Sequence, residues 1–149
     1  MKEPVVTNST CLISLERIGQ LDLLPALFEP VFIPPKVQEE FGSMRAWLVE
    51  QAPQNAALVM ALKQLVDVGE AEAIALAFEQ KTTLVLDDRK ARQVAKRLGV
   101  RIIGTVGILV RAKKQGILAS IRPQLEALKN VGFRITPELE QEALRLANE

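Results

Sequence analysis

Carboxylates carry the densest chemistry in this chain. Residues 69–88, GEAEAIALAFEQKTTLVLDD, open with Glu70 and Glu72 and close with Asp87 and Asp88. A second pair, Glu39 and Glu40, and a polar trio, Asn8, Ser9 and Thr10, complete the candidate clusters. There is no histidine and only one cysteine, Cys11. That removes a His–Cys zinc site, a Ser–His–Asp triad and a disulfide framework. Whatever chemistry occurs must use carboxylates, hydroxyls, amides, lysine or arginine. Ligands of an open α/β sheet gather at the carboxyl ends of its strands. Acids at a helix start and at a strand end can therefore face one crevice although they are distant in sequence. The same acids also suit a plainer use, as charge at a helix N-terminus and as a solvated turn. Clustered acids mark a site in only a fraction of cases.

The hydrophobic pattern supplies the elements that would position these side chains. Within 69–88, Ala71, Ile74, Ala75 and Phe78 recur at helical spacing, with Gly69 suited to the N-cap and Glu70 to the first turn. Residues 82–86 are a short β-branched and apolar run that predicts a buried parallel strand, with Asp87 and Asp88 at its carboxyl end. Upstream, residues 4–7 predict a first strand leading into Asn8-Ser9-Thr10 and a helix whose apolar face is Leu12, Ile13, Leu15 and Ile18. Residues 21–28 predict a second helix stopped by Pro30, and 31–33 a second strand. Residues 36–41 predict a helix that opens after Pro35 and carries Glu39 and Glu40. Residues 47–49 fit either a short edge strand or a helix end, and 55–66 read as a helix. Downstream come a helix at 89–98, a strand at 101–104, a helix at 105–114, helical residues over 118–130 restarting at Pro123, and a last short strand at 133–136. Thr136-Pro137 then begins a helix. Strands alternating with helices predict a three-layer α/β/α fold with a parallel sheet of four to five strands.

The length, 149 residues, fits one domain spanning 1–149, and a 48% hydrophobic composition is enough for a sizeable core. A net charge of +1 gives no global field toward nucleic acid or membrane, so any polyanion must be met by a local patch. The apolar run after Pro4 is too short and too polar for a signal peptide, and no segment approaches the roughly 18 apolar residues of a membrane span. The expectation is a soluble, cytoplasmic protein without a membrane partner, with Cys11 as a buried thiol. The phosphate-loop patterns G-x-x-x-x-G-K-[ST] and G-x-G-x-x-G, open to a flavodoxin-like binder of small molecules, are absent.

The segments VVTNSTCLISLERIGQLDLL, IPPKVQEEF, GEAEAIALA, LVLDDRKAR and GTVGIL, in this order across residues 5–109, resemble the PIN-domain family of metal-dependent ribonucleases. The likeness is strongest to the small prokaryotic branch that includes toxin nucleases of toxin–antitoxin pairs. It implies a parallel sheet with the first strand near its middle and four acids at its carboxyl end, holding Mg²⁺ or Mn²⁺. Carried onto this chain, the first-acid position is Asn8. The second is Glu40, three residues after Val37, and the third and fourth are Glu70 and Asp88, eighteen residues apart. The implied catalytic set is Glu40, Glu70 and Asp88, and the implied metal set is the same three with Asn8. Glu72 and Asp87 are the less favoured alternatives, and Ser9, Thr10 and Thr105 are candidates for a small hydroxyl near the site. The implied reaction is hydrolysis of RNA phosphodiester bonds, for which a hard divalent ion with oxygen ligands activates water and stabilises the leaving oxygen. A homodimer and an antitoxin protein are further implications. Residues 55–66 and Trp47-Leu48-Val49 offer apolar surface for a dimer and would equally serve the core.

Asn8 is the departure from that pattern. An amide oxygen can ligate a metal but brings no charge and cannot act as a general base. The sequence therefore also fits a weakened, PIN-like module that binds nucleic acid or protein without cleaving. On the substrate side, basic residues follow the acidic pair, and Arg89, Arg92 and Lys96 fall on one helical stripe that could neutralise an RNA backbone. Aromatic residues are scarce, five Phe and one Trp, so base stacking is not expected.

Overall fold

The structure is a computed structural model that describes residues 2–149. Five parallel strands form one sheet: β1 (Glu3–Thr7), β2 (Phe28–Ile33), β3 (Leu48–Glu50), β4 (Thr83–Val85) and β5 (Ile102–Ile103), in the order β3-β2-β1-β4-β5. The chain steps outward from β1 to β2 and β3, then crosses back over β1 to β4. Strand order therefore reverses between β1 and β4, and that is where an open parallel sheet leaves a crevice at its carboxyl edge. The helices are α1 (Ser9–Arg17), α2 (Leu23–Leu27), α3 (Pro35–Phe41), α4 (Ala56–Leu62), α5 (Val68–Gln80), α6 (Arg89–Arg97), α7 (Thr105–Lys114), α8 (Arg122–Asn130) and α9 (Pro137–Leu146).

The alternation of strand side chains creates the layers. Val5, Val31, Ile33 and Val85 pack to one side of the sheet with Leu12 and Leu15 of α1, Leu24 of α2, Ile108 and Leu109 of α7, and Leu125 of α8. Val6, Leu84 and Leu86 pack to the other side with Ile74 and Leu76 of α5 and Ala91 and Ala95 of α6. This is the three-layer α/β/α arrangement expected from the alternating pattern. Truncating a fully buried member such as Ile74 to alanine would cost about 2–5 kcal/mol, the usual loss for a large aliphatic side chain in a core.

Four local expectations are corrected. The strand that was to begin at Val31 begins at Phe28 and runs through Pro30. The β1–β2 register shifts there, from Glu3↔Phe28 to Val5↔Val31, and β3 pairs only from Val31 onward. Pro30 thus sits in a bulge where no donor is needed, which is how a strand accommodates proline. Residues 133–136 are not a strand; the sheet ends at β5 and they form a loop between α8 and α9. Asp67, not Gly69, is the N-cap of α5, and Gly69 lies in its first turn. Phe78, in the last turn of α5, is 44% exposed rather than buried on the core face. The two open readings at 47–49 resolve as the edge strand β3.

Candidate functional site

At the end of β1 the chain turns directly into α1. Asn8 is buried there, its backbone N–H donating to Val85 O at 3.2 Å, and its Oδ1 accepts from Cys11 N at 3.0 Å as the N-cap of α1. Ser9 Oγ donates to Glu40 Oε1 at 3.0 Å, bringing the last turn of α3 onto the first turn of α1. The same carboxylate lies against the first turn of α5: a Cβ on Gly69 would stand 2.7 Å from Glu40 Oε1. Glycine at this position allows the close approach of Glu40 and has no special φ. In that turn Glu70 and Asp67 form a capping box, with Glu70 N donating to Asp67 Oδ1 at 2.8 Å and Asp67 N to Glu70 Oε1 at 3.3 Å.

At the end of β4 the two neighbouring acids serve different helices. Asp88 caps α6 by accepting from Ala91 N at 2.9 Å. Asp87 reaches across to α7, where both of its oxygens are taken by Thr105, one by the N–H at 2.8 Å and the other by Oγ1 at 2.7 Å. Gly104 at the N-cap of α7 offers no side chain, so Asp87 fills that role from another element. Beneath lies Cys11, whose thiol is pushed up to about 12 by burial and then by the charge of Asp87, so it stays protonated and inert.

Glu70, Asp87, Asp88 and Thr10 line one cleft of about 700 Å³ beside the β1–β4 reversal. Glu40 is not part of that lining; it lies against Gly69, one residue before Glu70. Burial pushes the Glu70 carboxyl up from its ordinary 4.5 to about 7; the charge of Asp67 adds to this, and Asp88 and Glu40 add smaller pushes. Glu70 therefore feels both of the other acids assigned to the site by the family pattern. Glu72 is elsewhere: it accepts from Lys36 N at 2.9 Å, ties α5 to the start of α3 and lines a separate hollow. Glu39 pairs with Lys36 on the solvated side of α3. Of the basic stripe on α6, only Arg92 enters the cleft; Arg89 and Lys96 are exposed outside its lining.

Two charged cleft residues were not among the sequence candidates: Arg17, the last residue of α1, and Arg134, in the loop between α8 and α9. Arg17 lies within the first family-like segment and Arg134 outside all of them, and a lone arginine has no periodic or spacing signal. Phe133 also lines the cleft while packing partly against the core.

The profile of a family described as PIN domain matches residues 4–149. The chain belongs to the PIN-domain family. Among curated proteins, none matches it. A PIN domain is a nuclease-type fold that generally depends on a divalent metal and typically acts on nucleic acids. This PIN domain can be tested for fit to such an ion on its own donors. They are carboxylate, hydroxyl and amide oxygens, the set that hard cations prefer. Burial raises the Glu70 carboxyl most, the charge of Asp67 next, and Asp88 and Glu40 add to it; a bound cation would oppose all of these. The donor chemistry and the charge both fit. The side chains as placed hold no ligand cage: among the described residues, no three acids cluster closely enough to share an ion. Glu40, Glu70 and Asp88 each hold a local N–H or hydroxyl instead. Among the described residues, no helix is long and apolar enough to cross a membrane.

Proposed function

We propose that this PIN domain is a metal-dependent endoribonuclease whose catalytic residues are Glu40, Glu70 and Asp88. The observation that supports this best is Glu70. Its carboxyl is half-buried at the β1–β4 reversal, raised to about 7, and within the electrostatic reach of both Asp88 and Glu40. Glu70 and Asp88 would hold Mg²⁺ or Mn²⁺, with Glu40 and the Asn8 oxygen completing the set. When bound, such an ion supplies a Lewis acid for the phosphate and a more acidic water. A bound ion would keep Glu70 in its carboxylate form as a ligand. Ser9 orients Glu40, and the Asp87–Thr105 pair fixes the end of β4 so that Asp88 stays aimed at the cleft.

The test is cleavage of an unstructured RNA with Mn²⁺, Mg²⁺ or neither, using wild type and Asp88→Asn. The asparagine keeps the α6 cap while removing a charge. Metal-dependent cleavage lost in Asp88→Asn supports the proposal; cleavage equal in both proteins refutes the assignment.

A second reading is favoured by Asn8, which is engaged as a helix cap and brings no charge. It is a weakened PIN module that binds nucleic acid without cutting it, and metal-independent RNA binding with no cleavage would support it. As a toxin of a toxin–antitoxin pair, the protein would have a small antitoxin encoded in the neighbouring reading frame. It would also form a homodimer, with Val49, Met60 and Leu65 as exposed apolar surface. Light scattering that finds only monomer at high micromolar concentration would refute the dimer.

A further inference from the structure

Three arginines line the cleft together with its three acids, and they come from three separate elements: Arg17 from α1, Arg92 from α6 and Arg134 from the α8–α9 loop. Among the described residues, none of the three lies within 4.0 Å of a carboxylate oxygen or donates a side-chain hydrogen bond. Arginines outside the cleft behave otherwise. Arg45 pairs with Glu16 at 2.7 Å, Arg111 with Glu3 at 2.8 Å, and Arg145 with Glu142 at 2.5 Å. The contrast is sharpest at Arg92. A Cβ on Gly104 would stand 3.1 Å from Arg92 Nη1 and 3.2 Å from Asp87 Oδ1, so the two side chains flank one glycine without pairing. Both Asp87 oxygens accept from Thr105 rather than from Arg92. If the arginines served only to neutralise the cleft acids, the two sets would pair. They are held apart instead, leaving each guanidinium with a full fork of donors.

We infer that Arg17, Arg92 and Arg134 form the phosphate-binding wall of this cleft and place a nucleic-acid backbone against the acids. This rests on the nuclease reading above and adds to it the residues that hold the substrate. Guanidinium suits the task because its planar donors meet a phosphate in bidentate fashion and it stays charged at all working pH. The α8–α9 loop supplies one side of the wall, so this C-terminal segment is part of the site rather than a lid over the core. Neither Arg89 nor Lys96, on the outer face of α6, shares in it.

The experiment measures binding of a labelled oligo-uridylate RNA by fluorescence anisotropy across a range of salt. Asp88→Asn serves as the background, to prevent turnover. Arg17→Gln, Arg92→Gln and Arg134→Gln are each added to it, with Arg145→Gln as a control, and melting curves establish that every variant is folded. Each cleft substitution should weaken binding about tenfold or more, the scale of a charge-assisted hydrogen bond to phosphate. Each should also reduce the slope of log Kd against log salt by about 0.7, one single-strand phosphate contact. Arg92→Lys should recover the slope but only part of the affinity, since charge returns without the fork. Arg89→Gln and Lys96→Gln are run in parallel; if they carry the loss while the cleft variants bind like the parent, the wall is on the outer face of α6 and the inference is wrong. Cleavage by wild type with no effect from the cleft arginines overturns the inference alone. The expected pattern in a protein that never cleaves overturns the nuclease reading alone. No RNA binding by any form overturns both.

Discussion

Glu70→Gln separates the two jobs that Glu70 holds. Glutamine preserves the capping box, because its amide oxygen can still accept from Asp67 N. It removes the charge that the surroundings resist. With a carboxyl at 4.5 in the unfolded chain and about 7 in the fold, the unfolded state releases its proton first as pH rises. Wild-type stability therefore falls between those values and is level above them. At face value such a rise corresponds to about 3 kcal/mol, and screening at a half-exposed carboxyl reduces it to about 1–2 kcal/mol. Without metal, Glu70→Gln should thus match wild type near pH 4 and exceed it by that amount at pH 8. With saturating Mn²⁺ the order should reverse, since the wild type gains binding energy that the variant cannot. Urea unfolding followed by circular dichroism at several pH values, with Mn²⁺ and with chelator, reads both effects. Should the metal-free variant be less stable than wild type by the same margin at pH 4 and pH 8, Glu70 is a cap alone and the electrostatic argument fails.

Gly69→Ala should leave global stability within about 1 kcal/mol of wild type, because helix propensity gains while only the flexible end of Glu40 must move. It should weaken Mn²⁺ binding about tenfold, the scale for disturbed outer ligands, and unchanged affinity in a metal titration would remove Glu40 from the site. Asn8→Asp keeps the α1 cap and adds a fourth anion, so metal-free stability should drop slightly while Mn²⁺ affinity and RNA cleavage rise; no change in either means that Asn8 is only a cap. Thr105→Val removes the 2.7 Å hydroxyl bond to Asp87 inside the fold and should cost about 1.5–3 kcal/mol in urea unfolding. A loss below half of that would show that water replaces the hydroxyl.

The strand–helix alternation was readable because each strand is short, β-branched and bounded by turn residues, so β1, β4 and the helix carrying Glu40 fall close to where the pattern puts them. The start of β2 was not, since proline ordinarily ends a strand and only the bulge beside β1 makes Pro30 acceptable there. The N-cap of α5 was misplaced for a related reason. Glycine is a fair cap by itself, but Gly69 allows the close approach of Glu40, a residue remote in sequence. The division of labour between Asp87 and Asp88 depends on where α7 begins in space. Adjacent carboxylates look alike until Thr105 claims one of them. Arg17 and Arg134 became visible only when α1 and the α8–α9 loop met across the cleft.

Four helices begin around this cleft, α1, α5, α6 and α7, and each has its first N–H groups aimed at a polar side chain of the site. Each helix start carries a partial positive charge of about half an electron. Together they offset roughly two negative charges at the place where the acids gather. The scaffold thus supplies from its own backbone much of the compensation that a small metalloprotein ordinarily takes from its ion. A zinc finger stripped of zinc unfolds. On the proposed reading, this domain would not share that dependence: the ion could leave and return while the fold stands. Chelation would then be a reversible off-switch for the proposed chemistry, and metal supply would set when the site works without deciding whether the protein exists.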